Sequence, residues 1–147
     1  MEDKYYTPES KDLHIGFKYE VASVNSDWYI TNWTKKVFNQ GDLTSTFIKY
    51  PGHYRIKYLD KEDIESLGFV HTGGRLIKNN VDIFSYKKDS FFEYVLKYNY
   101  SFNKLEVYKE DLNYFEAINN CLFDGTIKNI SEFKVLLKQL NVLTSSI

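Results

Sequence analysis

Three histidines, His14, His53 and His71, and the single cysteine, Cys121, are the residues of this 147-residue chain best suited to metal or nucleophilic chemistry. A structural zinc site needs four ligands closed around the ion. These four residues are widely dispersed, so the whole fold would have to gather them, and no metal is expected. Cys121 would act as a nucleophile only beside a histidine or in an electropositive pocket that stabilises the thiolate. Neither is visible in the sequence, and a small buried apolar residue is the expectation. The carboxylates Asp60, Glu62, Asp63 and Glu65 fall on one helical turn after a strand, where a solvated capping face accounts for them better than paired acid–base catalysis. Gly73-Gly74-Arg75 lacks the Gly-Lys-Ser/Thr ending that brings charge and magnesium to phosphates, and reads as a turn. No catalytic residue, no cofactor and no metal ligand is therefore expected, and the chain does not read as an enzyme.

The aromatic residues are the remaining candidates: thirteen Tyr, eleven Phe and two Trp. Tyr and Trp join a large apolar body to a polar tip at low rotamer cost, which suits a core and an adhesive surface equally. Sheets favour aromatics in any case, so many of these rings are expected to be ordinary strand residues. Alternating strand residues are all buried only when both sheet faces are covered, and one long helix covers one face. Some rings should stay exposed. The candidate partner-binding residues are Trp28, Tyr29 and Trp33, in an irregular segment flanked by loops, joined by Tyr50 and His53.

Nineteen basic and twenty acidic residues leave a formal charge of −1, so no whole-molecule field draws in nucleic acid or an anionic membrane. Arg55 and Arg75 are the only arginines, although arginine supplies the planar fork that grips phosphates and guanines. Nucleic-acid binding is the secondary expectation, through exposed rings with Lys35, Lys36, Lys87 and Lys88 along the backbone. One cysteine excludes an intramolecular disulfide, and no stretch approaches the roughly 18 apolar residues of a membrane span. Met1 to Pro8 is polar, without the apolar region of a signal peptide. A soluble intracellular protein is expected, folding as one compact domain over residues 1–147.

The elements that must position these residues follow from periodicity. Ile15 to Val21 alternates as a half-buried strand, and Asp27 to Phe38 is read as a strand followed by a turn. Phe47 to Tyr50 is a short strand ending at Pro51-Gly52, and Tyr54, Ile56 and Tyr58 alternate again. Asp60 caps a short helix to Leu67, with Gly68 at its left-handed end. Val81 to Lys87 is a strand, and Phe92 to Tyr100 forms a hairpin with Leu105 to Tyr108. Asp111 to Asn120 reads as a loop with one helical turn, and Leu122 to Lys128 as a last short strand. Asn129 or Ser131 caps a C-terminal helix whose stripe is Ile130, Phe133, Leu136, Leu137 and Leu140. The predicted fold is α+β: a single, mostly antiparallel, aromatic-rich sheet of about five to seven strands, with the C-terminal helix on one face and the short helix as a connector.

Three runs, Tyr5 to Val21, Tyr54 to Phe69 and Leu122 to Leu140, carry a resemblance to small uncharacterised proteins of bacteriophages and prophages of AT-rich Gram-negative hosts. The segments from Trp28 to Tyr50 and from His71 to Phe91 depart most from that group. Phage-borne single domains without catalytic residues are often inhibitors of host defence, anti-CRISPR proteins among them. The resemblance thus implies a non-catalytic inhibitor that binds a host defence protein, such as a type VI-B RNA-guided RNase with its guide RNA.

Overall fold

The structure, a computed structural model, describes residues 4–12, 15–39, 50–74, 80–113 and 119–143. The chain divides into two compact units, Met1–Tyr58 and Leu59–Ile147. The described residues form two antiparallel sheets, and the single sheet expected from the sequence is corrected accordingly. Each sheet closes over its own buried cluster, so alternation alone cannot reveal that the strands divide into two sets.

In the first unit, strands β1 (Tyr5–Tyr6), β2 (Lys18–Val24), β3 (Ile30–Val37) and β4 (Tyr54–Lys57) take the order β1-β4-β2-β3. Tyr19 of β2 and Tyr54 and Ile56 of β4 turn to one face and form, with Phe38, a small buried cluster. Tyr19 stacks on Tyr54 at 6.0 Å and meets Phe38 edge-on at 6.3 Å. β3 is an edge strand among the described residues, and its side chains are exposed except for a half-buried Trp33. The edge is blunted in two ways: Lys35 and Lys36 lie on it, and Asn32 Oδ1 accepts from the Trp33 N–H at 2.8 Å. The strand expected from Asp27 begins at Ile30 instead, with the turn before it, because Asn25 organises a hairpin loop there. The short strand expected at Phe47 to Tyr50 lies largely outside the described residues.

In the second unit, β5 (Val70–Gly74), β6 (Val81–Lys87), β7 (Phe92–Asn99), β8 (Lys104–Asp111) and β9 (Asn119–Thr126) pair strictly in sequence order. Phe84, Leu96 and Val107 lie opposite one another across β6, β7 and β8, and each is fully buried. Their cluster takes in Phe133 and Leu137 from helix α2 (Ile130–Gln139), and Phe133 packs 5.9 Å from Phe69. The helix starts where expected: Asn129 Oδ1 accepts the Glu132 N–H at 2.9 Å, and Glu132 reaches back to accept the Lys128 N–H at 2.7 Å. Helix α1 (Lys61–Ser66) opens on a reciprocal Asp60–Asp63 capping box and is followed by Gly68 at φ +94°, as its sequence requires. The loop expected from Asp111 to Asn120 lies partly outside the described residues, and β9 starts at Asn119, earlier than the predicted Leu122.

Candidate functional site

The turn between β2 and β3 is built by one side chain. Asn25 Oδ1 accepts the N–H groups of Asp27 and Tyr29, each at 3.0 Å, while the Asn25 backbone bonds to Tyr29 and Trp28. This closure places Trp28 in the left-handed region, at φ +64°. An L-residue pays roughly 1–2 kcal/mol there, which Asn offsets through local hydrogen bonds and Gly avoids. The other non-glycine residues described with positive φ are Asn80, Asn103 and Asn141. Trp28 thus occupies a position that backbone energetics would assign to Gly or Asn, and it is not there to be buried. It is 65% exposed, and its neighbour Tyr29 is 73% exposed.

Two further candidates join Trp28 across the fold. The Tyr50 ring lies 5.8 Å from that of Trp28, and His53 stacks on Tyr50 at 5.3 Å with an interplanar angle of only 12°. Pro51 starts a single 3-10 turn over residues 51–53 that returns His53 beneath Tyr50, and the His53 N–H donates to the Tyr50 carbonyl at 3.0 Å. A ladder of Trp28, Tyr50 and His53 results, ending in an exposed indole beside an exposed phenol. Offset aromatic pairs of this kind hold ring orientation and contribute about 0.5–1.5 kcal/mol each. A pre-ordered surface ring loses little further freedom when a partner covers it.

Trp33 belongs to a different arrangement. The Arg55 guanidinium lies 4.1 Å from its ring centroid and 3.8 Å from that of Tyr5, so the cation is held between two rings. Glu20 Oε2 fixes the guanidinium edge by accepting from Arg55 Nε at 2.6 Å. Sequence reading missed Arg55, Tyr5 and Asn25. The polar run Asn25-Ser26-Asp27 between two alternating stretches was a hairpin signal, whereas nothing local links Tyr5 to Arg55.

The remaining candidates separate. Lys35 and Lys36 are consecutive on β3 and therefore point to opposite faces. Lys87 and Lys88 belong to the second unit, where Lys88 Nζ donates to the Asn141 carbonyl. The four lysines do not form one patch on a single strand face. Cys121 is exposed, correcting the expectation of a buried residue: it sits on edge strand β9 opposite Tyr108, on the side of the sheet away from Val107. The Tyr108 phenol is pushed above its ordinary pKa, chiefly by desolvation and next by Glu106. His71 meets Asp82 at 3.1 Å, and the Tyr100 hydroxyl donates to the same carboxylate at 3.0 Å. Asp82 is buried and bridges β5 to β6 at a bulge, which makes this trio a fastening of the sheet. Among the described residues no group of three His, Cys, Asp or Glu side chains is placed to hold a metal ion. His14 lies outside the described residues. Among the described residues no helix is long and apolar enough to cross a membrane. No protein-family model, curated protein or solved structure matches the chain.

Proposed function

We propose that this chain is a non-catalytic binding protein whose contact surface is the tip of the β2–β3 hairpin, with Trp28 as its anchor. The observation that carries this reading is a large, exposed indole in left-handed backbone. Strain kept at a surface position, where Gly or Asn would relieve it, points to selection for something other than stability. Tyr29 enlarges the contact, and the Tyr50–His53 stack supports it.

A protein partner suits this tip better than a phosphate backbone. Exposed Asp27 adjoins Trp28, and Lys35 lies five residues along β3 from Ile30, roughly 16 Å away at the usual strand rise. Exposed Trp and Tyr are the side chains that most often dominate protein interfaces. The class of partner comes from the sequence resemblance: a host defence protein, foremost an RNA-guided RNase carrying its guide RNA. The chain would then act as a phage-encoded inhibitor by occupancy, in the bacterial cytoplasm and without turnover.

Two measurements test the proposal. Titrating the purified chain into a cleavage assay of a type VI-B RNA-guided RNase should suppress cleavage, and absence of suppression would remove that partner class. Affinity capture from host lysate should return a protein that survives nuclease treatment, and Trp28→Ala should weaken capture about thirtyfold or more, as expected for an anchor worth on the order of 2 kcal/mol. Full-strength capture by folded Trp28→Ala would show that the hairpin tip is not the contact.

A further inference from the structure

The first unit already holds one guanidinium of its own. Arg55 lies 4.1 Å from the ring centroid of Trp33 and 3.8 Å from that of Tyr5, and Glu20 Oε2 accepts from its Nε at 2.6 Å. Two rings and one carboxylate thus hold one planar cation, the rings through their faces and the carboxylate through a charge-assisted hydrogen bond. The tip of the β2–β3 hairpin presents the same kinds of group in consecutive residues: Asp27, Trp28 and Tyr29 are all exposed. The turn uses the N–H groups of Asp27 and Tyr29, both on Asn25 Oδ1, and among the described residues no cation pairs with the Asp27 carboxylate. Trp28 has the Tyr50 ring 5.8 Å away and remains 65% exposed. Asp27 is the single charged residue between Val21 and Thr34. Val24 and Ile30 lie opposite each other in the ladder and are both exposed, which adds apolar surface at the base of the tip.

We infer that the hairpin tip takes an arginine side chain of a protein partner, its guanidinium stacked on the Trp28 indole beside the Asp27 carboxylate. This rests on the reading of the tip as the contact surface and names the chemistry that the surface selects. Charge complementarity selects a cation, because the carboxylate is negative and the face of an exposed ring draws positive charge through its quadrupole. The planar guanidinium stacks on a ring while its edge keeps donors for a carboxylate. It is also more weakly hydrated than the compact ammonium of lysine, so arginine is the preferred cation. An exposed turn leaves a free small cation hydrated, whereas Val24 and Ile30 offer the apolar stem of an arginine a surface to cover. Arginine is also among the residues enriched at protein interfaces and at their hot spots.

The two tryptophans give two indole N–H signals in the NMR spectrum of the isotope-labelled chain, and Trp33→Phe assigns them. A capped alanine pentapeptide with arginine at its centre should shift the Trp28 signal saturably in the millimolar range, the scale of a single side-chain contact. The Trp33 signal should stay in place, since Arg55 already lies on that ring, and it reports that each variant is folded. Replacing the arginine by citrulline keeps size and planarity but removes the charge, and should weaken binding about tenfold. Asp27→Asn should weaken the arginine peptide about threefold at low salt and make little difference at about 1 M salt. Equal binding of the arginine and citrulline peptides would overturn the inference, as would equal binding of a lysine peptide. A Trp28 signal that no peptide moves, or an Asp27→Asn variant that binds the arginine peptide at full strength in low salt, would overturn it as well. Lysate capture separates this inference from the reading beneath it. If Trp28→Ala loses capture while arginine and citrulline peptides bind alike, the tip is a contact that takes no cation, and the inference alone falls. If folded Trp28→Ala captures at full strength, the contact surface falls and the inference falls with it.

Discussion

The two sheets put similar side chains to opposite uses. Among the described residues of the second unit fifteen form one buried cluster, including Phe69, Phe84, Tyr94, Tyr98 and Phe133, and the Tyr98 hydroxyl is satisfied inside it by the Ile127 carbonyl at 2.8 Å. Among those of the first unit four form the buried cluster, and Trp28 and Tyr29 stand in solvent. Pairing neighbours in sequence lets β5 to β9 form a meander that a helix can seal. The first sheet recruits β4 from beyond the Pro51 turn and has no helix in its described cluster. An aromatic residue is therefore a core residue or an exposed one according to whether another layer covers its face. The second unit buries or half-buries most of its described rings and exposes Phe91 and Phe102 before β7 and in the β7–β8 turn, whereas the first exposes Trp28 and Tyr29.

The sharpest way to break this contrast is in the covered sheet. Phe133→Ala should cost about 3–5 kcal/mol, because a fully buried ring shared between α2 and Phe69 leaves a cavity that the strands cannot close. Urea denaturation followed by circular dichroism reads that loss. A cost below about 1 kcal/mol would mean that α2 does not seal the sheet.

Gly74 probes the backbone of the same unit. It sits at φ +119°, and a Cβ there would lie 2.6 Å from the Val81 carbonyl oxygen, so β5 and β6 could not both keep their places. Gly74→Ala should cost about 1–3 kcal/mol and raise amide exchange in β5 and β6 ahead of β7 and β8. Uniform exchange would show that the bulge is not a separate weak point.

In the first unit the expected effect nearly vanishes. Trp28→Asn should leave stability within about 1 kcal/mol of the parent, since relief of the left-handed backbone offsets loss of the Tyr50 ring contact, and partner capture should fall in the same variant. A larger loss of stability would show that Trp28 supports the fold and would weaken the case for selection on binding.

The smallest effect concerns pH. Burial, then the nearby Asp89 and Tyr86, raise the pKa of Tyr94 above its ordinary value. The folded state thus keeps that proton at pH values where the unfolded chain has lost it. Stability from this group is complete below about pH 10, the ordinary tyrosine value, and is lost as pH climbs through the raised folded value. Tyr94→Phe should flatten the alkaline limb of the stability–pH curve, and an unchanged limb would exclude this group as its source.

Local features carried most of what was legible beforehand. The caps at Asp60 and Asn129, the αL glycine at Gly68 and the Val81–Lys87 strand are each specified within a few residues, because hydrogen bonds to orphan N–H groups and period-two burial act over that range. The hairpin of β7 and β8 was legible for the same reason: its partners adjoin in sequence. The partition into two sheets was not. Alternation states that one side of a strand is buried, and it does not state against which strands. The candidate rings show the same boundary. Composition singled out Trp28, Tyr29, Trp33, Tyr50 and His53 as a group, but tertiary structure set Trp28 on Tyr50 and His53 and gave Trp33 to Tyr5 and Arg55. By itself the sequence determined where helices start and stop and which strand faces are apolar, since those depend on short-range hydrogen bonding and backbone geometry. Which rings meet and which stay in solvent depended on pairings across tens of residues, where chain direction after the Pro51 turn and the sealing of the second sheet by a helix made the choice.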